Sequence, residues 1–152
     1  MGTVQYNFSN ETLLVTGASS GIGKLVCEEF AASGGNVVCI GRTRERLEEV
    51  VAEINASSNG SAVAVVGDVS QSSTFKEAVD TAVSTFGELN YAFNCAGTEG
   101  PLSPISETSD DSFMDMINTK LTGCFLGLKA QIPVMREKGG AIVNMVGSFG
   151  HI

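Results

Sequence analysis

Thr12-Leu13-Leu14-Val15-Thr16-Gly17-Ala18-Ser19-Ser20-Gly21-Ile22-Gly23 decides how the rest of this chain is read. Its first five residues make a short apolar run of strand length that stops at a glycine. From Gly21 to Ser33, the residues Ile22, Leu25, Val26, Glu29 and Phe30 recur at helical spacing and share one mostly apolar face. A strand therefore passes through a glycine-rich turn directly into a helix. The first turn of a helix carries unpaired N–H groups and the positive end of the macrodipole, which suit a diphosphate. Glycines let the backbone reach those oxygens and let the helix pack closely on the strand. An ordinary glycine-rich turn would look the same in isolation. The pattern of the remaining chain separates the two readings.

That pattern is alternating. Gly34-Gly35 closes the first helix, Asn36–Ile40 is a second strand, and Thr43 precedes a helix over 44–56. Ser57-Ser58-Asn59-Gly60 is a turn, and Ala62–Val66 is a third strand. Phe75, Ala78, Val79, Ala82, Val83 and Phe86 mark a third helix, and Leu89–Asn94 a fourth strand. An irregular stretch from Gly97 to Ser109 leads to a helix over Asp110–Asn118. Leu121, Phe125, Leu128, Ile132 and Met135 then form a long apolar seam, read as core-facing, with Pro133 ending or kinking its helix. Ala141–Val146 is a fifth strand. Continuous apolar strands, each followed by a helix, indicate a parallel sheet covered on both faces. Right-handed crossovers then predict an α/β, doubly wound (Rossmann) fold of strand order 3-2-1-4-5, one domain over residues 1–152, with a sixth strand expected next.

Composition narrows the function. Hydrophobic residues are 43% and charged residues 17%, as in a compact soluble protein. A net charge of −8 repels phosphate backbones and anionic lipid, so neither nucleic-acid nor membrane binding is expected. No secretion signal or spanning segment is read, and a cytoplasmic location follows. Cys27, Cys39, Cys95 and Cys124 lie outside any Cys-x-x-Cys spacing, and the single histidine, His151, is remote from them; no metal site is expected.

Thr16-Gly17-Ala18-Ser19-Ser20-Gly21-Ile22-Gly23 carries the spacing Gly-x-x-x-Gly-x-Gly, which resembles that of the short-chain dehydrogenase/reductase superfamily. Four further segments resemble that family in the same order: Asp68-Val69, Asn94-Cys95-Ala96-Gly97, Asn118, and Ile142-Val143-Asn144. The resemblance implies an oxidoreductase that moves a hydride between a nicotinamide and an alcohol or carbonyl substrate. It implies cofactor contacts from Gly17, Ser19, Ser20, Gly21, Ile22, Gly23, Arg42, Asp68, Val69, Asn94, Ala96 and Gly97. Cys95 replaces one asparagine of the pattern and is read as a small group packed beside the cofactor. The resemblance also implies that the helix carrying the seam from Leu121 to Met135 joins a subunit interface, and hence a homo-oligomer for the full-length enzyme.

The choice of cofactor turns on the end of the second strand, where an acidic side chain would bind the ribose 2′-hydroxyl of NAD. This chain has Gly41-Arg42-Thr43 there. With no carboxylate to repel it, a 2′-phosphate would find in Arg42 a bidentate partner. NADP(H) is preferred on this reading and NAD(H) stays open.

Catalysis is the incomplete part. The family pattern needs a Tyr with a Lys four residues later, an orienting serine, and a helix asparagine that holds a water. Asn118 fits the last. Tyr6 and Tyr91 are the only tyrosines, and Asn10 and Cys95 stand four residues beyond them. Gly147 occupies the usual serine position, with Ser148 one residue later as the remaining candidate. The sequence as given is therefore expected to stop before its Tyr-x-x-x-Lys motif and to be inactive alone. The alternative is a non-catalytic nucleotide-binding or interaction protein.

Overall fold

The structure, a computed structural model, describes residues 5–98, 100 and 103–147. Five parallel strands form one sheet in the order β3-β2-β1-β4-β5. Strand β1 is Thr12–Thr16, β2 Asn36–Gly41, β3 Ala62–Val66, β4 Tyr91–Asn94 and β5 Ala141–Asn144. The α-helices are α1 (Gly21–Ala32), α2 (Arg44–Ser57), α3 (Ser72–Phe86), α4 (Asp110–Met116) and α5 (Gly123–Met135). Strand order and helix placement match the sequence-derived topology.

β1 holds the centre because every one of its side chains is apolar or threonine and all five are buried. It pairs with β2 from Thr12↔Asn36 and with β4 from Leu13↔Tyr91. The two-residue period of the strands divides the core cleanly. Leu13, Val15, Val37 and Cys39 face α1 and α2, meeting Phe30, Leu47 and Ile54. Leu14, Val38, Ile40 and Val65 face the other way, onto Phe75 and Val79 of α3 and Met135 of α5. Each such fully buried aliphatic or aromatic side chain contributes about 1.5–3 kcal/mol of transfer free energy. The pattern leaves all strand C-termini, and hence all βα turns, at one end of the sheet.

Three local features differ from the sequence reading. β4 begins at Tyr91 rather than Leu89; just before it, the Asn90 N–H donates to the Thr12 carbonyl at 3.0 Å and the Asn90 side-chain oxygen accepts the Thr12 N–H at 2.7 Å. The two helices expected around residue 120 are one continuous path through a wide π-helical turn, Ile117–Thr122, in which the Gly123 N–H donates to the Asn118 carbonyl. The seam of α5 is the third, and it is a correction. Leu121 is 65% and Phe125 60% exposed, and Ile132 is also exposed. The buried stripe of this helix is Gly123, Gly127, Gln131 and Met135. Small residues bring the helix backbone close to its neighbours, so Leu121, Phe125 and Ile132 are turned outward, while Met135 of the same seam stays buried. Pro133 lies in the last turn of α5, which ends two residues later, as expected.

Candidate functional site

The turn from β1 to α1 is built by three glycines with separate tasks. Gly17 and Gly21 adopt positive φ, +72° and +54°, which L side chains rarely tolerate. A Cβ on Gly23 would run into the Gly17 carbonyl oxygen, so its absence lets α1 seat on the turn. Ser20 precedes the helix without a side-chain cap bond, and the first helical bond is Lys24 N–H to the Ser20 carbonyl at 3.2 Å. The N–H groups of Gly21, Ile22 and Gly23 thus have no acceptor within the helix. No acidic side chain occupies the first turn of α1. Lys24 donates to Glu53 at 2.7 Å, with Glu28 also near. The positive end of the helix is uncompensated.

A cavity of about 550 Å³ opens over this turn. Gly17, Ser19, Ser20, Gly21, Ile22 and Gly23 line it, and a Cβ at Gly21 would meet no protein atom within 4 Å, so that wall is bare backbone facing open space. At one end stand Arg42 and Arg46, on either side of the start of α2. Among the described residues neither joins an ion pair, whereas Arg44 between them pairs with Glu48 at 3.0 Å. Thr43 precedes α2 as expected and makes no side-chain cap bond. Asp68 and Val69 form another part of its wall. The Ser70 N–H donates to the Asp68 carboxylate at 2.8 Å, and this bond, with Arg42 nearby, holds that carboxyl below its ordinary range. The wall is therefore ionised and oriented at neutral pH.

Cys95, Ala96 and Gly97 separate this cavity from a second one of about 410 Å³ and line both. Their backbone is fixed by the Thr16 hydroxyl, which accepts from the Cys95 N–H at 3.0 Å and the Ala96 N–H at 2.9 Å. Asn94 lines only the second cavity, with its side-chain amide engaged by Gln131 and Asn144. Burial raises the Cys95 thiol while the Gly23 amide acts against that rise. Asn118 is half-buried on the wide turn, immediately before Thr119, which lines both cavities. Tyr91 is half-buried at the opposite end of the strand, edge-on to Phe8 and Phe30. Ser148 and His151 lie outside the described residues.

The structure thus gathers all the residues singled out around the glycine turn, with Arg42, Asp68, Val69, Ala96 and Gly97, about one cavity. Sequence reasoning missed Arg46, Thr16 and Thr119. Arg46 carried only a weak signal, one helical turn beyond Arg42, because Glu49 three residues on offers it an ordinary surface partner. Thr16 was legible only as the end of a strand; its hydroxyl matters because β4 is the neighbour that its backbone register selects. Among the described residues, no helix is long and apolar enough to cross a membrane, and no group of three or more His, Cys, Asp or Glu could hold a metal.

A glycine turn of this spacing, on the first strand of a 3-2-1-4-5 sheet, is matched by the family description "short chain dehydrogenase", over residues 11–152. The chain belongs to the short-chain dehydrogenase family. Relatives include a 3beta-hydroxysteroid dehydrogenase of Mediterraneibacter gnavus, 34% identical over 144 residues, which are 95% of this chain and 52% of the relative. A cyclohexanol dehydrogenase of Acinetobacter sp. is 37% identical, over 95% of this chain and 58% of its own. Among solved short-chain dehydrogenase structures, NAD+-bound xylitol dehydrogenase superimposes with a TM-score of 0.89 at 30% identity, covering 95% of this chain and 55% of that one. L-Sorbose reductase from Gluconobacter frateurii, complexed with NADPH and L-sorbose, gives 0.85 at 27% identity, covering 93% and 54%. The chain spans about half the length of the curated relatives it matches.

Proposed function

We propose that this chain is the nucleotide-binding part of an NADP(H)-preferring oxidoreductase acting on an alcohol or ketone. One observation carries the reading: amides without a side-chain cap at the start of α1 and the guanidiniums of Arg42 and Arg46, which join no ion pair among the described residues, share a single cavity. The first-turn N–H groups of Gly21 and Ile22, with the hydroxyls of Ser19 and Ser20, would hold the diphosphate, Gly23 would seat α1 close to the ligand, and Gly17 would keep the turn tight against β4. Arg42 and Arg46 would clasp a 2′-phosphate from two sides. Asp68 and Val69 would flank the adenine. Ala96 and Gly97 would border the nicotinamide half, next to the wall that Asn94 supports. When bound, the coenzyme would supply the hydride donor or acceptor.

This chain's own residues prepare the site rather than complete it. Asn118 would orient a water at the wide turn, and Ser148 is the candidate for aligning a carbonyl. Neither tyrosine has a lysine four residues on, so no proton donor of the family type is present in residues 1–152. The 152-residue chain accordingly binds nucleotide without turnover, and a panel of ketones with NADPH would show no oxidation of the coenzyme. For the whole enzyme, the outward apolar side chains Leu121, Phe125 and Ile132 fit a contact between subunits of a homo-oligomer, and a cytoplasmic location suits reduced thiols.

Calorimetric titration of the chain with 2′,5′-ADP and with 5′-ADP tests the cofactor reading. The wild type is expected to prefer the 2′-phosphorylated ligand. Arg42→Ala and Arg46→Ala should each weaken it by roughly tenfold or more, as for hydrogen bonds to charged groups, and leave 5′-ADP affinity nearly unchanged. Equal affinities in the wild type would instead favour NAD(H). No affinity for either ligand in a folded preparation would remove the proposal.

A further inference from the structure

The buried stripe of α5 contains one residue that hydrophobic packing does not explain. Gln131 is 0% exposed, in a stripe whose other members are Gly123, Gly127 and Met135. Its Nε2 donates to Asn94 Oδ1 at 2.8 Å, and its Oε1 accepts from Asn94 Nδ2 at 3.1 Å. Asn94 Nδ2 also donates to Asn144 Oδ1 at 2.9 Å. Three amides therefore join α5 to the ends of β4 and β5. Gly127, one turn before Gln131, makes room for them: a Cβ there would lie 3.0 Å from Asn94 Oδ1. An apolar side chain would fill the position of Gln131 at less cost, since burying an amide is favourable only when its polar groups are paired.

What the network holds is the partition between the two cavities. Asn94 is followed by Cys95, Ala96 and Gly97, and Asn144 by Met145, whose N–H donates to the Asn94 carbonyl at 3.0 Å. Cys95 to Gly97 and Met145 line both cavities. On the proposed mode of binding, this partition borders the nicotinamide half of the coenzyme, while the adenosine half lies toward Arg42. We propose that Gln131 is a positioning residue that fixes the nicotinamide end of the site through Asn94 and Asn144. It touches no reacting atom. The inference rests on the nucleotide-binding reading above.

The consequence is an effect confined to one half of the ligand. Gln131→Met keeps the length of the side chain and removes its amide. Asn144→Ala, at the exposed edge strand, removes the acceptor at the other end of the network, and Asn144→Asp restores an oxygen there. NADPH and 2′,5′-ADP, which lacks the nicotinamide half, are titrated against each folded variant of the 152-residue chain. NADPH affinity is expected to fall roughly tenfold in Gln131→Met and Asn144→Ala, the scale of one lost hydrogen-bonded contact. Affinity for 2′,5′-ADP should stay within about twofold, and Asn144→Asp should recover most of the loss. A merely structural role would lower the melting temperature and move both affinities together or neither, and that result overturns the inference. If Gln131→Met does not fold, the comparison of Asn144→Ala with Asn144→Asp decides alone. A wild type that binds neither ligand would instead reject the nucleotide-binding reading itself.

Discussion

Gly21 and Gly23 stand two positions apart in one turn and answer to different forces. At Gly21 the constraint is conformational, a φ of +54° with open space where a Cβ would go. At Gly23 it is steric, since a Cβ would meet the fixed carbonyl oxygen of Gly17. Gly21→Ala should therefore cost about 1 kcal/mol of stability, from the left-handed backbone, yet sharply reduce nucleotide affinity by placing a methyl at the cavity wall. Gly23→Ala should cost about 3 kcal/mol, at the upper end for overpacking, because backbone rather than a mobile side chain must move. Urea denaturation and 2′,5′-ADP titration of both variants separate the two cases. Equal stability losses would show that the close approach of α1 to its turn is misjudged. At this scale the sequence was informative about Gly17, Gly21, Gly23 and Arg42, because spacing along the chain reports directly on a local turn. It was silent on the Thr16 hydroxyl, whose partners Cys95 and Ala96 lie 79 and 80 residues away.

Helix α5 shows where element-level patterns mislead. Leu121, Phe125, Leu128, Ile132 and Met135 recur as a core-facing seam would, yet only Met135 of them is buried, in a stripe with Gly123, Gly127 and Gln131. Periodicity reports that a helix has an apolar face, not which neighbour covers it. The small residues of the other stripe allow the closer approach, and that geometry decides the orientation. Phe125→Ala should therefore change stability by no more than about 0.5 kcal/mol, as for an exposed position. Phe75→Ala, at 1% exposure in α3, should cost about 3–5 kcal/mol. Chemical denaturation of the two variants checks this, and a large loss in Phe125→Ala would return the seam to the core. The wide turn at Ile117–Thr122 was likewise illegible, since nothing in the local pattern of apolar residues marks an extra residue per turn.

Across the whole molecule, protection should be graded from β1 outward. β1 is paired on both edges and covered on both faces, while β5 has one partner and exposed side chains at Ala141, Val143 and Asn144. Amide hydrogen exchange at neutral pH should be slowest in Leu13–Thr16 and faster by orders of magnitude in β5, since exchange there needs only the edge to open. Comparable rates in the two strands would mean that the sheet opens as one unit. The sequence by itself determined a parallel sheet covered on both faces, from apolar runs separated by helical periods with chiral crossovers, and the spacing of the glycine turn singled out the order 3-2-1-4-5. It also determined the glycine turn, because a strand, three glycines and a helix are contiguous in the chain. Only the tertiary structure decided that Arg46 joins Arg42, that Gln131 reaches Asn94 and Asn144, and that the bulky face of α5 points outward. Those arrangements depend on distances between segments far apart in the chain, and such distances are fixed by packing rather than by local spacing.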